Sequence, residues 1–115
     1  MNNILMVGFP PDINIKIFGY TTIHHAPFRL MEGGLSLKEY EILCKKVVEN
    51  SKLLVLNLDK KYLTFDESFL LVHAYTKSVP IVGVGQKIKD FTLDIVLSNK
   101  FAFIDDLKNH VKNNY

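Results

Sequence analysis

The sequence predicts a three-layer α/β domain: a mostly parallel sheet with helices on both faces. Three observations carry this expectation. Short runs dominated by apolar residues recur at Ile4–Val7, Leu53–Leu56 and Val79–Val84, the pattern of strands buried on both faces rather than on one. Two segments between them open with complete capping boxes, Ser36-Leu37-Lys38-Glu39 and Thr64-Phe65-Asp66-Glu67. In such a box the first hydroxyl and the carboxylate three residues on satisfy each other's backbone amides. Strands that alternate with helices in this way build parallel sheets.

In chain order, Ile4–Val7 reads as the first strand and stops at Gly8-Phe9-Pro10-Pro11. Residues 12–20 are ambiguous. Ile13, Ile15 and Ile17 alternate as in a strand, yet Ile13 and Ile17 also share one side of a short helix. Thr21-Thr22-Ile23-His24 has strand composition and is ended by Pro27. The helix after Ser36 carries Tyr40, Leu43, Cys44, Val47 and Val48 on one stripe, with Glu41 and Lys45 paired on its wet side. Leu53–Leu56 is the next buried strand, followed by Asn57-Leu58-Asp59. The helix opened by Thr64 runs to about Lys77 and is apolar around most of its girth, which predicts deep burial. Val79–Val84 is a further strand stopped by Gly85, and Leu93-Asp94-Ile95-Val96-Leu97 is expected to be another. A last helix carries Ile104, Leu107 and Val111, with Asp105 and Asp106 in its first turn and Lys112 near its end, as the helix dipole favours.

With 115 residues, 48% hydrophobic and 23% charged, the chain is expected to be a single globular domain spanning residues 1–115. A net charge of +2 is too small for nucleic-acid binding through the overall field, and Arg29 is the only arginine to offer a forked donor. The start of the chain reads as a strand rather than a signal peptide, and no apolar run is long enough to span a bilayer. The single cysteine, Cys44, fits a reducing, cytoplasmic setting.

Parallel crossovers are right-handed, so the segments that follow each strand gather along one edge, where α/β proteins bind ligands. That places Gly8, Phe9 and Pro10, His24 and His25, Asn57 and Asp59, and Gly85 and Gln86 at the expected site. Adjacent strand histidines point to opposite faces, and no further ligand stands at metal spacing, so no metal is expected. One of the two lining a ligand pocket fits their position. Asp59 suits a ribose hydroxyl or an ordinary solvated loop. Phe9 and Phe28 suit base stacking or the core. The spacing of Gly83-Val84-Gly85 matches no dinucleotide or phosphate loop, and no cofactor is expected.

The stretch Ser51–Gln86 resembles the nucleoside 2-deoxyribosyltransferase family. The residues that carry the likeness are Leu54-Val55-Leu56-Asn57-Leu58-Asp59, then Asp66 to Tyr75 with Ala74, then Val79-Pro80-Ile81-Val82-Gly83-Val84-Gly85. Phe101–Val111 resembles the closing strand and helix of that family, and Val7-Gly8-Phe9-Pro10 echoes its first turn. The resemblance implies a flavodoxin-like, deoxyribosyltransferase-like fold, oligomers, and a nucleoside- or nucleotide-type ligand near Asp66, Glu67 and Ser68. Aligned on Ala74, however, the family's nucleophilic glutamate falls on Leu70, its Gly-Thr on Asp66-Glu67, and its later glycine on Val72. A leucine cannot attack an anomeric carbon or stabilise an oxocarbenium-like transition state. Glu67 lies one turn earlier on the same helix face, so two roles fit it: partner of Thr64 in the capping box, or displaced nucleophile assisted by Asp59 or Asp66. Three readings follow. The chain holds a nucleoside or nucleotide derivative without converting it; it transfers or hydrolyses an N-glycosidic bond through Glu67; or it is a flavodoxin-like interaction domain.

Overall fold

The computed structural model describes residues 2–10, 15–25 and 36–114. Five strands form one all-parallel sheet: β1 (Asn3–Val7), β2 (Thr21–His24), β3 (Leu53–Asn57), β4 (Ile81–Val84) and β5 (Asn99–Phe101), in the order β2-β1-β3-β4-β5. The described helices are α1 (Leu37–Glu49), α2 (Phe65–Thr76), α3 (Leu93–Val96) and α4 (Ile104–Asn114). The chain runs outward from β1 to β2, then crosses back over β1 to β3. The order therefore reverses between β1 and β3, and a crevice opens at such a switch point.

β1 and β3 each carry four consecutive apolar residues, Ile4–Val7 and Leu53–Leu56, because both of their faces are covered. Leu5, Val7, Leu54 and Leu56 point into one core with Cys44 and Val48 of α1 and Leu70, Leu71 and Ala74 of α2. Ile4, Met6, Leu53 and Val55 point into the other with Ile15, Ile17, and Leu107 and Val111 of α4. Fully burying each such aliphatic side chain contributes about 2 kcal/mol. Gly83 of β4 leaves room for Leu58, whose Cδ1 would lie 2.7 Å from any added Cβ. Both expected capping boxes are formed, at Ser36 with Glu39 and at Thr64 with Glu67.

Three expectations change. Leu93–Val96 is a short helix, and the fifth strand is Asn99–Phe101, which pairs with β4 through Val82–Asn99 and Val84–Phe101. α2 is buried along one side only: Glu67, Leu70, Leu71 and Ala74 face inward, while Phe65 is 92% exposed and Val72 and Tyr75 are exposed as well. Ile15 and Ile17 are core residues without belonging to a strand; Ile13, Pro27, Phe28 and Arg29 lie outside the described residues.

Candidate functional site

The site grows from the ends of β1 and β3. Gly8 follows β1 with φ +84°, a left-handed conformation that glycine adopts without steric cost. A Cβ there would stand 3.0 Å from Oε2 of Glu67, 3.4 Å from Nζ of Lys60 and 3.5 Å from Cβ of Asn57. The missing side chain is what lets these groups converge. Asn57, the last residue of β3, spans the switch point: its Nδ2 donates to the Gly8 carbonyl at 3.0 Å, and its Oδ1 accepts from the Asp59 amide at 2.9 Å.

Glu67 is 3% exposed in the first turn of α2. Its Oε1 accepts from Nζ of Lys60 at 2.7 Å and from the Thr64 amide at 2.8 Å, while its Oε2 accepts from the same ammonium at 2.6 Å. The carboxylate thus completes the capping box and is neutralised by a buried ion pair. Lysine has three donors and a primary amide two. Among the described residues, Lys60 directs its hydrogen bonds to Glu67 alone and Asn57 Nδ2 to Gly8 alone. Each can therefore still offer an N–H to an oxygen in the crevice. Phe9, half-buried beside Gly8, packs against the second core.

On the next flank, Oδ1 of Asp59 accepts from the Gln86 amide at 2.9 Å. The two loops touch so closely that a Cβ on Gly85, at φ +127°, would lie 2.6 Å from the Asp59 nitrogen. Gly85 therefore does more than end β4; it lets the Asp59 loop seat on the sheet edge.

On the opposite flank, His25 is 3% exposed just past β2. Its Nε2 lies 3.2 Å from the Tyr40 hydroxyl and 3.6 Å from Oδ2 of Asp66, whose Oδ1 accepts from the Thr64 hydroxyl. His24 points differently: its Nδ1 is buried with no hydrogen-bond partner among the described residues, and burial holds its pKa below the ordinary histidine value.

The predicted site residues thus fall into three adjoining groups: Gly8, Asn57 and Glu67 at the switch point, Asp59, Gly85 and Gln86 on one side, and His25 with Asp66 on the other. Pro10 is exposed. Ser68 belongs elsewhere. Its hydroxyl donates to the Thr64 carbonyl at 3.2 Å, and it lines a separate cleft of about 660 Å³ with Tyr62, Leu63, Lys87 and Leu93. A larger cavity, about 790 Å³, lies at the opposite edge of the sheet. Leu70 is buried in the core.

Sequence reasoning missed Lys60 and Tyr40. Lys60 sits in an Asp-Lys-Lys loop that reads as solvated, and Tyr40 reads as part of the apolar stripe of α1. Among the described residues, no three His, Cys, Asp or Glu side chains gather at metal-binding distance, and no helix is long and apolar enough to cross a membrane. No family model matches the chain, and no curated protein or solved structure is significantly similar to it. Fold and geometry together define a parallel α/β domain with a polar cluster at its strand-order reversal.

Proposed function

We propose that the chain binds a nucleoside- or nucleotide-type small molecule in the β1/β3 crevice and holds it without converting it, so as to sense or sequester it. The observation that carries this reading is the convergence of Asn57, Lys60 and Glu67 on side-chain-free Gly8 at the switch point, where doubly wound folds take their ligands. Lys60 and Asn57 offer donors to phosphate or ribose oxygens, and Asp59 offers a carboxylate to a hydroxyl. The resemblance to nucleoside 2-deoxyribosyltransferases favours the same ligand class.

The competing reading is N-glycosidic transfer or hydrolysis through Glu67. It is favoured by that carboxylate's burial at the crevice. It is disfavoured because both carboxylate oxygens already accept hydrogen bonds and a lysine neutralises the charge. Self-association is part of the proposal. Val72 and Tyr62 flank one groove between α2 and α3, Tyr75 and Ile95 flank the adjoining one, and all four are exposed, a surface suited to a second copy of the chain. Cys44, the single cysteine of the chain, is buried and suits a reducing, cytoplasmic setting.

The test is native mass spectrometry of the purified chain, followed by release and identification of any bound molecule and by titration with a nucleoside and nucleotide panel. An intact nucleotide-type ligand, weakened about tenfold by Lys60→Met and retained by Glu67→Gln, is the expected result. Glutamine preserves the capping box while removing the nucleophile. Free base released from the panel, and abolished by Glu67→Gln, would replace binding with catalysis.

A further inference from the structure

The opposite edge of the sheet, where the strands begin, holds the 790 Å³ cavity. It is lined by Lys16, Lys52, Lys108 and Lys112, which come from three separate parts of the chain, and among the described residues no carboxylate lines it. Four lysines elsewhere face carboxylates: Lys45 with Glu41, Lys60 with Glu67, Lys77 with Glu49 and Lys100 with Asp94. The four cavity lysines make no ion pair with any described residue. Lys108 and Lys112 stand one turn apart on α4, where like charges repel. Lys112 also offsets the negative end of its helix, but Lys16 and Lys52 lie outside the described helices and have no such role.

The cavity also has apolar walls. Ile17 and Val111 are buried at its base, and Tyr20 is half-buried beside them. Phe18 is fully exposed at its margin, on a turn completed by Gly19 at φ +84°. A concave, low-dielectric wall concentrates the field of the four ammonium groups. Lysine recognises phosphate as a point charge. An exposed aromatic face offers a stacking surface for a planar ring, and the volume suits a single small molecule.

We propose that this cavity is a second ligand site, for a small organic polyphosphate that carries a planar ring, such as a nucleoside triphosphate. The site is independent of the crevice at the other edge and does not rest on the function proposed for it.

The experiment is calorimetric titration of the full chain with adenosine triphosphate, inorganic tripolyphosphate and adenosine at low and moderate salt. Adenosine triphosphate should bind with an affinity that falls as salt rises, tripolyphosphate more weakly, and adenosine not measurably. The double variant Lys108→Glu/Lys112→Glu should lower triphosphate affinity by about tenfold or more, and Lys16→Glu/Lys52→Glu should do the same. Phe18→Ala should weaken the nucleotide and leave tripolyphosphate unchanged, while the charge-matched double variant Lys45→Glu/Lys46→Glu on α1, outside both sites, should leave both unchanged. Circular dichroism checks that each variant keeps its fold. Triphosphate affinity lost with Lys60→Met but kept in the lysine reversals would overturn the assignment. So would absence of binding at low salt, or binding only to vesicles of equimolar phosphatidylserine and phosphatidylcholine.

Discussion

Replacing Lys60 by methionine removes the cation from a carboxylate that has almost no access to water. The Glu67 side chain is 4% exposed and that of Lys60 25%. At an effective dielectric of about 20, opposite charges roughly 2.7 Å apart attract by about 6 kcal/mol, and desolvation offsets much of this. Breaking a buried pair by removing one partner costs about 3–5 kcal/mol. Lys60 is a quarter exposed, so the cost falls to the bottom of that range or just under it, about 2–3 kcal/mol. Glu67→Gln should cost only about 1 kcal/mol, because glutamine also closes a capping box and the freed ammonium can turn to solvent. The double variant should then be more stable than Lys60→Met alone, with a coupling near 2 kcal/mol. Urea unfolding followed by circular dichroism measures all four proteins. At about 1–2 kcal/mol per molar urea, the Lys60→Met midpoint should fall by roughly 1–3 M. A Lys60→Met protein within about 0.5 kcal/mol of the parent, or a double variant equal to the sum of the single ones, would refute the view that Lys60 holds a buried carboxylate in place.

Gly85→Ala should destabilise by more than about 2 kcal/mol, since it combines a left-handed backbone with a Cβ 2.6 Å from the Asp59 nitrogen; a thermal melt unchanged within error would count against the close loop contact. Thr64→Ala should cost about 1 kcal/mol by removing the N-cap hydroxyl that accepts from the Glu67 amide, measurable by the same urea titration. His24 has a folded-state pKa below its unfolded value near 6.5, so the unfolded chain takes up the proton first. Its contribution to stability is therefore complete above the unfolded pKa and is lost as pH falls through and below it. Unfolding midpoints measured from pH 7.5 down to 5.5 should drop, and a His24→Phe protein should show a smaller drop.

The central strands were legible because burial on both faces writes itself into four consecutive apolar residues, as in Ile4–Val7 and Leu53–Leu56. The helix starts were legible because a capping box is a local hydrogen-bond arrangement. β5 was not, because an edge strand of Asn99-Lys100-Phe101 is largely exposed and its composition carries little of the sheet's signature. Leu93–Val96 misled for the opposite reason: Leu93 and Val96 pack against the first core from a single turn of helix. At the strand ends, the sequence placed Gly8, Asn57 and Glu67 along one edge, and the structure brings these three together. The sequence could not pair Glu67 with Lys60, seven residues away, because the loop that brings them together has no periodic pattern. The box glutamate was the available signal, since its carboxylate must fold back toward Thr64, where a neighbouring cation would find it.

The crossing of the chain over β1 also sets an order of events during synthesis. β1 is buried on both faces, yet one of its two neighbours, β3, emerges from the ribosome about 45 residues later. At roughly 5–20 residues per second, that is a delay of about 2–9 s. During that interval Ile4–Val7 can pair only with the four-residue β2, which cannot cover both its faces. The nascent chain is therefore most prone to association and to chaperone capture in the window that closes when Leu53–Asn57 docks. Substitutions that slow this docking would lower the yield of folded protein before they lowered the stability of the finished domain.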